Sequence, residues 1–125
     1  MKHKKECEQT RKLCDELTRC GAICISLQAG MFTSGWPDRL VWHKNWRGFL
    51  EMKRHDGQLS ARQRKNLQDL WRRCPGSCFV VWFPEPGKNL CTLTTYDGTV
   101  RGGFTTAEYL LDLLLVLGDN PPDLS

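Results

Sequence analysis

The sequence predicts a mixed α/β domain: a helix, three strands, a helix and a strand, followed by a hairpin and a final helix. Three observations carry that prediction. Apolar residues recur at helical spacing over residues 6–20 and 60–73. Short runs of strand length occupy residues 22–27, 38–43, 47–53 and 77–83. Two more strand-like runs, 90–96 and 99–104, are separated by Asp97-Gly98, a dipeptide suited to a tight hairpin turn.

Composition sets the scale. A chain of 125 residues is large enough for a real core and has no room for a second domain, so residues 1–117 are expected to form one unit with a flexible tail over 118–125. Charged residues at 26% and hydrophobic residues at 40% describe an ordinary globule, and no apolar run reaches the length of a membrane span. The net charge of +4 permits a polyanionic partner without demanding one. Seven cysteines are an odd set, and the opening MKHKKE has no apolar segment behind it. Reduced thiols and a cytoplasmic location are the expectation.

The elements follow in order. The first helix, residues 6–20, brings Thr10, Leu13, Cys14 and Leu17 together, with Cys20 close by; Gly21 is its stop. Glu6 lies on the extension of that stripe, an odd place for a carboxylate unless it points at something. A solvated first-turn glutamate favoured by the helix dipole is the alternative. Residues 22–27 read as a buried strand, and residues 28–35 as a loop leading to Trp36-Pro37, where proline precedes a strand without interrupting it. Ser60-Ala61-Arg62-Gln63 has the form of a capping box opening the second helix, whose packing face is Leu67, Leu70, Trp71 and Cys74. Residues 77–83, SCFVVWF, read as a buried strand that Pro84 ends. Thr105 or Thr106 caps the last helix, which runs through Leu117. Its leucines occupy more than one face, so it is either enclosed by the fold or packed on a second copy.

The strands at 38–43 and 47–53 flank a short polar break, Lys44-Asn45. A hairpin with those two residues as its loop sets Asp38 across from Glu51, side chains on one face and β-carbons about 5 Å apart. Lys53 shares that face, while Leu50 and Met52 point the other way. Two carboxylates this close repel each other unless a proton or a cation sits between them. Oxygen donors on a rigid strand pair suit Mg²⁺, and a lysine beside the ion can orient water or offset charge on phosphate. A cross-strand salt bridge among Asp38, Glu51 and Lys53 on a solvated face is the plainer alternative. Gln63 is likewise open to two readings: it can bond back to the helix start, or reach the scissile phosphate region from the top of a buried face.

Gly35-Trp36-Pro37-Asp38, Phe49-Leu50-Glu51-Met52-Lys53 and Gly57-Gln58-Leu59-Ser60 with Gln63 together resemble the VRR-NUC domain, a branch of the PD-(D/E)XK nuclease superfamily. The separate PD and ExK elements are short enough to arise by chance; the ordered set is far more specific. The resemblance covers residues 6–83. It implies a restriction-endonuclease-like αβββαβ core, with a central mixed sheet flanked by helices. It also implies a metal-dependent, structure-specific DNA endonuclease that leaves 5′-phosphate ends. Branched DNA, including four-way junctions, is the implied substrate and a homodimer the implied working form; small stand-alone members of this kind fit a phage or prophage origin. Asp38, Glu51 and the Met52 carbonyl would hold Mg²⁺ or Mn²⁺, with Glu6 reaching the ion from the first helix. Lys53 would position or activate water, and Gln63 would support it. A general or flap-type DNA nuclease of the same fold is the alternative, as is a non-catalytic DNA-binding module.

The remaining signals are weaker. Lys5, Arg54, His55, Arg62 and Lys65 are candidates for phosphate contact, set within basic groups that also include Lys2, Lys4, Arg11, Lys12, Arg64, Arg72 and Arg73. For any one of them a solvated helix face is the preferred explanation; only as a set do they point as readily to phosphate. Trp36, Trp42 and Trp46 are able to stack on bases or to pack in a core. The Cys20/Cys24 and Cys74/Cys78 spacings fall in the range of zinc thiolates. However, each pair straddles a helix–strand junction, and the two strands are not expected to be neighbours. Small buried thiols are the preferred reading.

Overall fold

A computed structural model describes residues 2–27 and 35–125, with side chains of the first segment described from residue 8 onward. Helix α1, Lys2–Arg19, begins one turn earlier than its apolar stripe predicts. Thr10, Leu13 and Leu17 are buried, as that stripe requires. Gly21 ends the helix at φ 95°, and Ala22 N donates to Leu17 O at 3.0 Å across the turn. Strands β1, Ile23–Ser26, β2, Arg39–Trp42, and β3, Arg47–Lys53, follow. Helix α2 spans Ala61–Arg73 and leads to β4, Cys78–Trp82. The hairpin is β5, Cys91–Thr94, and β6, Val100–Phe104, before helix α3, Ala107–Asp119, which Thr106 caps. Asp97 orders the hairpin turn by accepting from Thr99 N at 3.1 Å.

The six strands lie in the order β1-β2-β3-β4-β5-β6. β3 and β4 are parallel; the other neighbouring pairs are antiparallel. A parallel neighbour needs a crossover, and α2 supplies it. The sheet is therefore mixed and flanked by helices, with the predicted αβββαβ order followed by the hairpin and last helix.

The strand period divides the sheet into two faces. On one, Val41, Leu50, Met52, Phe79, Val81 and Leu93 are at most 1% exposed, each contributing about 1.5–3 kcal/mol of burial. Helices α1 and α3 cover this side: Cys14 touches Cys24, and Leu113 packs over Gly102, where a β-carbon would meet it at 3.0 Å. On the other face lie Glu51 and its β4 neighbour Val80, with α2 above them; Cys78 Sγ reaches Leu67 O at 3.5 Å. Leu67 and Trp71 are buried in α2, Leu70 packs against the core, and Cys74 is exposed.

Two expectations need correction, and the choice left open for Trp46 is decided. The run at 22–27 is not a buried strand: β1 is an edge strand, with Ile23 58% and Ile25 46% exposed. Both point to the α2 side, and α2 sits over the middle of the sheet, so they remain open to solvent. Trp46 belongs to the core and not to an exposed stacking surface; its Nε1 donates to Gly76 O at 2.7 Å. The segment from Gly118 onward is not a free tail, because α3 continues to Asp119 and Leu124 lies partly buried against the core. Among the described residues no helix is long and apolar enough to cross a membrane.

Candidate active site

The β2–β3 hairpin places the motif carboxylates. Its closed end is locked by a reciprocal pair: His43 N donates to Trp46 O at 2.9 Å, and Trp46 N to His43 O at 3.1 Å. Lys44-Asn45 are thus the two loop residues, and the ladder runs from Trp42↔Arg47 to Arg39↔Leu50. One step further out, Asp38 and Glu51 face each other where the ladder stops. Met52 N, which a longer β2 would have engaged, donates instead to Asp38 Oδ1 at 3.2 Å. The N–H and C=O of one strand residue project to the same side, so the Met52 carbonyl also looks toward Asp38. Lys53 O points the opposite way and accepts from Phe83 N at 2.8 Å.

Glu51 is only 4% exposed. Its Oε2 accepts from Gln63 Nε2 at 3.0 Å and lies 3.5 Å from Lys53 Nζ. Burial, and then the charge of Asp38, push the Glu51 carboxyl up to about 7, against the pull of Lys53.

Gln63 does the first of the two jobs that the sequence left open, and its other end reaches Glu51. Its Oε1 accepts from Ser60 N at 2.9 Å, while Ser60 Oγ accepts from Gln63 N at 3.0 Å, which completes the capping box. With its oxygen on the cap, the amide has its Nε2 for Glu51. The start of α2 and the acidic end of β3 are joined through one side chain.

This donor set fits a small divalent cation. Mg²⁺ takes one or two carboxylates and completes its octahedron with water and substrate phosphate. Asp38, Glu51 and the Met52 carbonyl offer hard oxygens, and a cation between the carboxylates would offset the burial of Glu51 and its repulsion from Asp38. Among the described residues no three His, Cys, Asp or Glu side chains gather as a cage. Two carboxylates and a main-chain oxygen would leave positions on such an ion for water and substrate.

The other candidate residues are dispersed. Arg54 Nε pairs with Asp56 at 3.2 Å. With His55, Arg54 lines a cleft of about 320 Å³ against Glu8, Gln9, Pro84 and Pro86. Arg62 and Lys65 are exposed on α2. The side chains of Lys5 and Glu6 lie outside the described residues. Trp36 and Trp42 are 41% and 52% exposed, and the Arg47 guanidinium lies 5.1 Å from the Trp42 ring centroid. The Cys20/Cys24 and Cys74/Cys78 pairs do not form a four-thiolate site, since β1 and β4 are separated by two strands. His43, although buried, is satisfied within the hairpin: Nδ1 accepts from Asn45 N and Nε2 bonds Cys20 O, both at 3.0 Å.

One residue near the site escaped the sequence reading, and another was read without its link to the site. Arg39 Nη1 donates to Asp38 O at 2.8 Å and to Ser26 Oγ at 3.1 Å, so it pins the main chain beside Asp38 to β1. Its position next to the PD dipeptide was the only signal. Ser60 matters to the site because its cap orients Gln63; the capping box was legible, its connection to Glu51 was not.

No protein-family model and no curated protein matches the chain. Among solved structures it is similar to Archaeoglobus fulgidus Hjc, described as a Holliday junction resolvase from an archaeal hyperthermophile. The TM-score is 0.51 at 24% identity, over 70% of this chain and 72% of that one. That likeness concerns the fold and does not single out the VRR-NUC branch. The architecture of this chain, a six-stranded mixed sheet flanked by helices, is the restriction-endonuclease-like fold.

Proposed function

We propose that this chain is a Mg²⁺- or Mn²⁺-dependent DNA endonuclease of the VRR-NUC type, acting in the cytoplasm on branched DNA such as four-way junctions and leaving 5′-phosphate ends. The observation that carries the proposal is the meeting of Asp38, Glu51, Lys53 and Gln63 at the open end of one hairpin. These are the residues that the ordered motif supplies, and their electrostatics call for a cation.

In this reading Asp38, Glu51 and the Met52 carbonyl hold the ion, with Glu6 as a further donor from α1. A divalent ion bound there would polarise the phosphodiester and acidify a water molecule. Lys53, tied to Glu51, orients the attacking water and offsets charge on the phosphate oxygens. Gln63 fixes the direction of the Glu51 carboxylate. Water adds in line to phosphorus, the P–O3′ bond breaks, and the departing oxygen leaves as a 3′-hydroxyl, with phosphate retained on the 5′ end. Lys5, Arg54, His55, Arg62 and Lys65 would neutralise backbone phosphates on the approach to the site.

Two considerations support branched DNA: the VRR-NUC resemblance, and a shared fold with a protein described as a Holliday junction resolvase. Paired incisions on opposed strands need paired centres, which a two-fold homodimer supplies. In α3, Leu110, Leu111 and Leu114 are buried within the chain, while Tyr109 and Val116 stay 54% and 64% exposed. With Leu115, 36% exposed, those two are the apolar surface that α3 would offer to a second copy.

The test uses labelled duplex, flap, splayed and four-way substrates with Mg²⁺, Mn²⁺ or EDTA, alongside Asp38→Ala and Lys53→Ala. Symmetric paired cuts confined to the four-way substrate are expected, abolished by EDTA and by either substitution. Indiscriminate nicking would make the protein a general nuclease, and binding without cutting a DNA-binding module. Cutting that survives both substitutions would remove the proposed site.

A further inference from the structure

Outside the carboxylate site, the closest contact between reactive side chains joins α1 to the edge of the sheet. Cys24 Sγ, on β1, lies 2.9 Å from Cys14 Sγ, on α1. Neither residue is fully buried, and both are free thiols. Two sulfurs at that distance are already inside ordinary van der Waals contact, so little movement separates the dithiol from a bond.

The surroundings favour chemistry over inert packing. The hydrogen bond from Cys24, together with the Arg39 guanidinium, holds the Cys14 thiol down at about 7 against the effect of burial. The same contact, with burial, pushes the Cys24 thiol up. One sulfur is thus disposed to be the nucleophile and the other to remain a thiol beside it. Both cysteines sit on the α1/α3 side of the sheet, so neither uses the face that carries Glu51.

We propose that Cys14 and Cys24 are a redox modification site, closing to an intramolecular disulfide between α1 and β1 when the protein meets hydrogen peroxide. The Cys14 thiolate attacks the peroxide O–O bond, giving a sulfenic acid and hydroxide, which takes up a proton to become water. Cys24 then displaces hydroxide from the Cys14 sulfur as it loses its own proton, and a second water leaves. Two thiols and one peroxide yield one disulfide and two waters, with two electrons passing to the peroxide. A dithiol reductant reverses the step. The proposal is independent of the nuclease reading, because it needs only the two sulfurs and Arg39. Its consequence is mechanical: the bond fastens the edge strand, which Arg39 ties to the main chain of Asp38, onto the first helix.

The test exposes the reduced full-length protein to about one equivalent of hydrogen peroxide, blocks remaining thiols with iodoacetamide and maps non-reduced tryptic peptides by mass. The seven thiols should fall by two, with a peptide pair joined at Cys14 and a mass loss of about 2 Da. Cys20 shares a tryptic peptide with Cys24, so Cys20→Ser is run in parallel and should leave the cross-link intact, while Cys24→Ser should abolish it. The oxidised wild type should melt about 5 °C higher than the reduced form and return to the reduced value with dithiothreitol. Linkage of Cys14 to any other cysteine, or its over-oxidation while Cys24 stays a thiol, would overturn the proposal. So would an unchanged thiol count. Fragment-ion sequencing of the cross-linked wild-type pair assigns the bond to Cys24 or Cys20 even if a variant folds poorly.

Discussion

The two ends of the β2–β3 hairpin share one register and have opposite characters. At the closed end His43 and Trp46 exchange both main-chain hydrogen bonds, and the Trp46 indole is buried with its N–H on Gly76 O. At the open end the ladder has stopped, a side-chain oxygen of Asp38 takes the Met52 N–H, and a buried glutamate faces a second carboxylate. The difference teaches where stability and chemistry are kept apart. Main-chain pairing and apolar packing fix the register at one end, and that register presents two facing carboxylates at the other without a flexible loop between them.

The largest expected effect comes from the open end. Asp38→Asn or Glu51→Gln should lower cleavage by about 10³-fold, since each removes a charged donor from the proposed ion site. The same Glu51→Gln change should leave the protein as stable as the wild type or more so at pH 8, measured by urea unfolding, because it removes a buried charge. Loss of activity together with loss of fold would mean that Glu51 serves the structure instead.

At the closed end the pattern should invert. Trp46→Ala removes a buried ring packed 6.0 Å from Phe79 and leaves Gly76 O without its donor. A cost of about 3–5 kcal/mol is expected from urea unfolding. Cleavage per folded molecule, measured well below the melting temperature, should change little. A selective loss of cleavage would show that the two ends are coupled more tightly than the register requires.

The acidity of Glu51 gives a third measurement. Its carboxyl sits at about 7 in the fold against an ordinary 4.5. Between those values the unfolded chain binds fewer protons than the folded one, so stability falls as pH rises. It is greatest below about pH 4.5 on this account and is lost progressively up to and through pH 7, by about 3 kcal/mol in the metal-free protein. Added Mg²⁺ competes with the proton for the same oxygens. Its stabilising effect on the melting temperature should therefore be larger at pH 8 than at pH 5.5, and equal shifts would place the ion elsewhere.

Much of this was legible in the sequence, and what was not has physical causes. The register followed from taking Lys44-Asn45 as the whole loop, where a longer loop would have shifted it, and α2 was readable because Ser60 and Gln63 mark its start. The exposure of β1 was not readable: AICISL has the composition of a core strand, and only the placement of α2 decides that Ile23 and Ile25 stay uncovered. Trp46 illustrates the converse, since an indole in a polar-looking hairpin is drawn into the core by contacts remote in sequence, at Gly76 and Phe79. Of the proposed site, the residue types and their order were visible. The weakened acidity of Glu51, the anchoring of Asp38 by Arg39 and the double role of Gln63 arise only when three elements meet.

The smallest expected effect separates the two roles of Gln63. Ser60→Ala removes the hydroxyl that accepts from Gln63 N, and should cost about 1 kcal/mol in helix capping. It leaves the Ser60 main-chain N–H in place, and with it the bond to Gln63 Oε1 that turns the amide toward Glu51. Cleavage should therefore change by no more than about two-fold. Gln63→Leu loses both contacts and should lower cleavage by about 10- to 100-fold, the range typical of groups that orient a metal ligand. The comparison is informative because the two variants should be destabilised by similar amounts. If Ser60→Ala lowers cleavage as far as Gln63→Leu, the helix cap itself, and not the amide on Glu51, is what holds the carboxylate in place.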